Sequence, residues 1–185
     1  TVLNLIENQS YEESYDKLVI STGAKPRALP TPGIERAHVL RDVEDATGIK
    51  ALVDSGKIKS AAILGAGFIG IELAENFVHR GLKTTVVEMS KSILPQFDAE
   101  IIEPFQAHLV ANGIELALGV TAASINENTI TLSDGREIEA DIVVSAAGVV
   151  PDHHLAVEAG LTIGESGGIW VDNHQRTSDE HIFAV

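Results

Sequence analysis

The chain has 185 residues, 44% of them hydrophobic and 22% charged, which is ordinary globular composition for one domain or one domain with appendages. Thirteen basic against 27 acidic residues give a formal charge of −14, a field that repels nucleic acid and anionic lipid and argues against both as main partners. Cysteine is absent, so these residues hold no disulfide, no thiolate metal site and no cysteine nucleophile.

No apolar run reaches transmembrane length and no basic-then-apolar signal segment opens the chain, which predicts a cytoplasmic protein with no membrane partner. The chain starts at Thr1, as an excised piece of a longer protein would.

In chain order, Lys17–Ser21, Ala61–Leu64, Thr84–Val87 and Asp141–Ala146 are short β-branched runs, apolar on both faces. Strands of that kind lie inside a parallel sheet covered by helices. Between them the spacing predicts helices over Asp45–Asp54, Phe68–Arg80 and Asp98–Ala111. In the second, Ile69, Leu73 and Phe77 form an i, i+4, i+8 stripe widened by Ala74 and Val78, and Gly81 ends it. Asp98 is a candidate N-cap for the third. Residues 114–140 break the alternation and read as an antiparallel meander, with turns at Asn126–Asn128 and Asp134–Gly135. Pro26, Pro30, Pro32 and Gly33 mark an early linker, and a last short strand is predicted at Ile169–Val171. The predicted fold is an α/β Rossmann-like three-layer sandwich: a central parallel sheet, helices on both faces, and the inserted meander over one side.

Asp16 to Pro26 and Asp141 to Pro151 share a layout: an Asp, an apolar strand, a Gly seven residues on (Gly23, Gly148), and a Pro three further. The repeat gains meaning if both glycines end strands of related nucleotide-binding units.

The strongest chemical signal is Gly65-Ala66-Gly67-Phe68-Ile69-Gly70. It fits G-x-G-x-x-G with an apolar strand before it and an amphipathic helix after it. Gly65 permits the tight turn, Gly67 lets a pyrophosphate approach the backbone, and Gly70 lets helix and strand pack closely. The helix N-terminus then offers N–H groups and partial positive charge to phosphate. Glu88 ends the next strand, about twenty residues beyond Gly65, where a carboxylate accepts from the hydroxyls of an adenosine ribose. A 2′-phosphate would meet repulsion there, so the pattern favours NAD(H) over NADP(H), with Lys91 the one nearby cation that softens the preference. The adjacent His153 and His154 lack metal-ligand spacing, and no metal site is predicted.

These residues resemble the pyridine nucleotide–disulfide oxidoreductase family of flavoproteins. The resemblance is carried by Tyr15–Ala24, Gly65–Glu72, Ala146–Pro151 and the tail Thr177–Val185, and so covers essentially the whole chain. Leu40-Arg41-Asp42 with Asp45-Ala46, and Ile93-Leu94-Pro95 with Phe97-Asp98, look like the NADH oxidase, NADH peroxidase and coenzyme A-disulfide reductase subgroup. The resemblance implies an intact enzyme, usually a homodimer, that takes hydride from NADH onto FAD and passes electrons to a disulfide, peroxide or oxygen. Its redox cysteine would lie upstream of Thr1, and this piece alone would be inactive. The implied domains are 1–35 and 165–185 as flavin-domain segments, with 36–164 as the NAD(H) domain. Carried over by position, Gly65, Ala66, Gly67, Ile69 and Gly70 belong to the pyrophosphate loop and Glu88 to the ribose. Phe68 matches an aromatic lid, Glu72 a glutamate near the carboxamide, and Gly148 a turn beside the nicotinamide ribose. Thr22 and Gly23 match a turn that contacts FAD. Asp152 stands where many relatives have Asn, which leaves that amide's contact without a donor. The competing readings are a ferredoxin or rubredoxin reductase-like flavoprotein and a non-catalytic NADH-sensing module.

Overall fold

The computed structural model describes residues 1–185. They pack as two compact units, residues 26–149 and residues 1–25 with 150–185. The chain begins with a hairpin of β1 (Val2–Asn4) and β2 (Gln9–Tyr11), followed by β3 (Leu18–Ile20) and β4 (Ala24–Pro26).

Residues 26–149 hold β5 (His38–Val39), α1 (Val43–Asp54), β6 (Ser60–Leu64), α2 (Phe68–His79), β7 (Lys83–Glu88), α3 (Ala99–Ala111) and β8 (Ile114–Leu118). After these come β9 (Ala122–Ile125), β10 (Thr129–Leu132), β11 (Glu137–Glu139) and β12 (Ile142–Ser145). The main sheet is parallel, in the order β5-β12-β6-β7-β8. Successive strand residues point to opposite faces, and this sorts the core into two layers. Ala61, Ile63, Val86, Ile142 and Val144 pack with Ile49, Val53, Ile71, Ala74, Phe77, Ile102 and Leu109 of the three helices. Ala62, Leu64, Val87 and Val143 pack instead with Ile125, Ile130 and Leu132 of the antiparallel sheet β11-β10-β9.

Several expectations shift here. The three helices cover one face, and the meander, joined by Leu29, Ile34 and Ala37, fills the other. The meander is shorter than 114–140, because Ile114–Leu118 pairs in parallel with Thr84–Glu88 as the edge of the main sheet. Leu18–Ile20 is outside that sheet and pairs in parallel with β14 (Ile182–Ala184). Ile169–Val171 forms no strand, and only an isolated bridge joins Ile163 to Ile169. The first helix starts at Val43, two residues earlier than its pattern, because Asp42 and Asp45 close a reciprocal capping box. Asp98 sits at the N-cap of α3, but its side chain caps nothing.

The other unit closes with β13 (Val149–Pro151), α4 (His154–Glu158) and β14, and β13 pairs with β4. Its small core gathers Ile20, Ala156, Leu161, Ile182 and Ala184. Packing puts residues 26–35 with the larger unit, where the Pro32 carbonyl accepts the Ile125 N–H at 2.8 Å. It puts residues 150–164 with the smaller one. No helix is long and apolar enough to cross a membrane.

Candidate nucleotide site

The carboxyl ends of β12, β6 and β7 lie side by side, the edge at which open parallel sheets bind ligands. Strand β6 runs into Gly65, whose φ is +111°, and whose N–H donates to the Val87 carbonyl at 2.8 Å. A Cβ on Gly65 would stand 2.6 Å from the Ala146 carbonyl oxygen, so the turn after β12 packs directly on the loop. A Cβ on Gly70 would stand 2.0 Å from the Gly65 carbonyl oxygen, and this is the close helix–strand approach that the third glycine serves. At Gly67 the situation reverses: a Cβ would find nothing within 4 Å. That open side adjoins the N-terminus of α2, where Gly67 is the N-cap and no side chain caps the first turn. The cradle suits an anionic group such as a diphosphate.

Glu88 lies beside this loop, half-buried. Its Oε2 accepts the Ala66 N–H at 2.8 Å and its Oε1 accepts the Ser90 N–H at 2.7 Å. Each carboxylate oxygen has a second lone pair. The group is therefore fixed in place by the backbone and keeps acceptor capacity for a hydroxyl pair. Lys91, the cation closest in sequence, is exposed and forms no ion pair.

The segment between β7 and α3 closes over the loop. Ile93 and Leu94 are buried, and the Leu94 N–H donates to the Ala66 carbonyl at 3.1 Å. Phe97 meets Phe68 edge-on, with ring centroids 6.0 Å apart and planes at 90°. Phe68 and Ile69 are 65% and 50% exposed, so neither is a core residue. Glu72 is also exposed, its Oε1 accepting from the Asn76 amide at 3.3 Å. Gly148 has φ +89°, is open on its Cβ side, and accepts the Arg27 N–H at 2.9 Å. Gly65, Ala66, Gly67, Gly70 and Glu88 thus come together. Phe68 and Ile69 border them, and Glu72 faces solvent one turn along the helix. Sequence reasoning missed Gln106 and Ser90, which belong to no spaced motif, and it quoted Leu94 and Phe97 only for the resemblance they carry, without a place at the loop.

In the smaller unit Gly23 has φ +68°, and the Thr22 hydroxyl donates to the Asp152 carbonyl. The Asp152 N–H donates to the Gly23 carbonyl at 2.9 Å. Its carboxylate pairs with Lys25 at 2.9 Å, and this partner holds the Asp152 carboxyl below its ordinary range. The side chain that replaces the expected Asn is therefore engaged within its own turn. His153 faces the Gly167 carbonyl and His154 faces Glu158, so the two rings turn to different partners.

The chain is 39% identical over 183 residues to a probable ferredoxin reductase from Castellaniella defragrans, covering 94% of this chain and 44% of that protein. It is 30% identical over 187 residues to the coenzyme A disulfide reductase of Staphylococcus aureus, covering 100% of this chain and 42% of that one. The solved water-forming NADH oxidase from Lactobacillus brevis, bound to NADH, superposes with a TM-score of 0.89 at 28% identity, over 97% of this chain and 41% of that one. The chain thus spans about two fifths of the length of the relatives it matches. The family model for pyridine nucleotide-disulphide oxidoreductases matches residues 1–185, and the chain belongs to that family.

Proposed function

We propose that this chain is the NAD(H)-binding part of a flavoprotein oxidoreductase that accepts hydride from NADH. The observation that carries the reading is the pairing of an open phosphate cradle at Gly67 with a backbone-fixed carboxylate at Glu88. When bound, NADH supplies a hydride and FAD accepts it. The chain's own task is binding and orientation. The first turn of α2 holds the diphosphate, and Glu88 accepts the adenosine ribose hydroxyls and disfavours a 2′-phosphate. The Gly148 turn borders the nicotinamide ribose, Glu72 lies on the carboxamide side, and Phe68 screens the ring. Thr22 and Gly23 are proposed to contact FAD. Residues 26–149 would form the NAD(H) domain, and residues 1–25 with 150–185 would contribute to the flavin domain. These limits follow packing in place of the positions 35 and 164.

The relatives differ in acceptor: ferredoxin, coenzyme A disulfide, and oxygen reduced to water. These 185 residues contain no cysteine, so a thiol route needs a cysteine from outside them, whereas a ferredoxin route needs none. The 39% identity to a ferredoxin reductase favours the latter as the second reading. The match of the family model to residues 1–185, with its flavin-domain segments included, speaks against a pure NADH sensor. A cytoplasmic homodimer is part of the same proposal and rests on the family alone.

Calorimetric titration tests the reading. NADH should bind more tightly than NADPH, and the chain without flavin should not oxidise NADH with a disulfide. Tighter binding of NADPH, or flavin-free turnover, would overturn it.

A further inference from the structure

We propose that Gln106 and Leu94 are positioning residues of the nucleotide site, and that together they set the direction of the Gly67 N–H. The inference rests on the reading that the glycine loop takes the diphosphate of NAD(H). Leu94 has φ +43° and is 6% exposed. A bulky residue in the left-handed region persists only where its surroundings over-determine it. Here two consecutive donors are committed in different directions. The Ile93 N–H donates to Gln106 Oε1 at 3.0 Å, reaching α3, while the Leu94 N–H donates to the Ala66 carbonyl at 3.1 Å. Ile93 is fully buried, so the turn cannot relax into solvent.

The Ala66 carbonyl belongs to the peptide unit that ends in the Gly67 N–H. In a planar trans peptide the C=O and N–H point in opposite directions, and the chain contains no cis peptide bond. By holding the oxygen, Leu94 aims the Gly67 N–H away from the 89–98 segment. Glu88 Oε2 holds the peptide on the other side of Ala66 through the Ala66 N–H. Both peptides that flank Ala66 are therefore fixed before any ligand arrives, and the first donor of the cradle need not be ordered on binding. Gln106 contributes from a distance: it touches no ligand, but its oxygen keeps Ile93, and hence Leu94, in register.

The test compares Gln106→Leu, which deletes the acceptor, Gln106→Asn, which withdraws it by one carbon, and Gln106→Glu, which retains an acceptor oxygen. Each is titrated with NADH, ADP and adenosine, with Tm measured alongside. The loss of one oriented hydrogen bond should weaken NADH and ADP roughly three- to tenfold in the Leu and Asn variants, leave adenosine within about twofold, and be rescued in Gln106→Glu. Equal weakening of all three ligands in step with a fall in Tm would mean a merely structural role and refute the proposal. Unchanged ADP affinity in either folded variant would also refute it. If the unsubstituted protein bound NADH and the variants bound it equally well, the nucleotide reading would stand and this inference alone would fall. Absence of NADH binding by the unsubstituted protein would bring down both.

Discussion

Gly67→Ala and Gly70→Ala are the same chemical change three residues apart, and the structure predicts opposite outcomes. At Gly70 the new methyl would lie 2.0 Å from the Gly65 carbonyl oxygen and 3.4 Å from Ile63 Cγ2. The oxygen cannot retreat cheaply, because Gly65 is bonded to Val87 and packed on Ala146. A 2.0 Å approach to backbone falls in the upper part of the usual overpacking range, about 2–3 kcal/mol, and the better helix propensity of alanine returns about 1 kcal/mol. The net loss should be about 1–2 kcal/mol, or a Tm lower by about 4 °C in a chain of this size. NADH affinity should fall with it, since the displaced carbonyl belongs to the phosphate loop. At Gly67, φ −77° and ψ −176° suit any L-residue, and the methyl meets no protein atom. Alanine is a poorer N-cap than glycine but restricts the unfolded chain, and these effects of about 0.5–1 kcal/mol nearly offset. Tm should hold within about 2 °C, while NADH binding weakens by roughly tenfold or more as the methyl occupies the anion's place and a charge-assisted hydrogen bond is lost. Differential scanning calorimetry and titration on the same samples separate the two effects. Wild-type NADH affinity in Gly67→Ala would refute the placement of phosphate, and an unchanged or raised Tm in Gly70→Ala would refute the packing argument.

Glu88→Ala should weaken NADH binding by about 1–3 kcal/mol and also lower Tm, because the Ala66 and Ser90 N–H groups lose their acceptor. Glu88→Gln retains one acceptor oxygen and should fall between the two, with the preference for NADH over NADPH narrowed in both variants; titration of both nucleotides decides it. Asp141 accepts the Lys59 N–H at 2.8 Å, the Ser60 N–H at 3.0 Å and the Ser60 hydroxyl at 3.1 Å. The Lys59 N–H chiefly holds its carboxyl below the usual range; burial opposes this, and Ser60 adds to it. A lowered folded-state pKa stabilises above the unfolded value of about 3.9, and that stability drains away as pH falls through the folded value. Urea unfolding of Asp141→Asn between pH 7 and pH 2.5 should therefore show lower stability at neutral pH and a flatter acid decline, and an identical acid decline would count against the staple. Gly148→Ala meets no clash but must adopt φ +89°, so it should lose about 1–2 kcal/mol in thermal unfolding.

The glycine loop and Glu88 were legible because their constraints are local: a tight turn, a close approach and a strand end within one βαβ unit. The inner strands β6, β7 and β12 were legible because burial on both faces leaves an unbroken apolar run. The same signal marked Leu18–Ile20 as a parallel strand but not its neighbour, since apolarity announces a parallel partner without saying which one, and the partner lies at the far end of the chain. Edge strand β8 misled in the opposite way. Its Glu115 is exposed and accepts the Thr85 hydroxyl, so the segment alternates as an antiparallel strand does. In α2 the buried face runs through Gly70, Ile71, Ala74 and Phe77, one step from the stripe that began at Ile69. The first turn stands out over the phosphate loop, and this exposes Ile69. Gln106 was illegible for a physical reason: its side-chain oxygen matters only through a tertiary hydrogen bond to Ile93 that no local spacing announces, and the bond from Leu94 to Ala66 is made by backbone, which any residue type supplies.

The internal repeat takes on a narrower meaning. Gly23 and Gly148 each follow an apolar parallel strand, each has a positive φ, and each leads into a short extended segment, β4 or β13. Those segments pair with each other and contain the two points where the chain passes between its compact units. A chain that leaves a parallel strand and reverses into a new direction needs a left-handed residue at the bend, and glycine adopts it without strain. Backbone geometry thus accounts for both glycines before any cofactor is invoked, and the repeat cannot by itself argue for two nucleotide sites. At Gly65 and Gly67 the balance differs. A turn alone explains the first, but no packing or dihedral demand explains the second, whose Cβ would be free of contact and whose φ is ordinary. Gly48 inside α1 is equally free of contact, so it is the place of Gly67, at the first turn of α2 beside a carboxylate held by two backbone donors, that supports the proposed ligand.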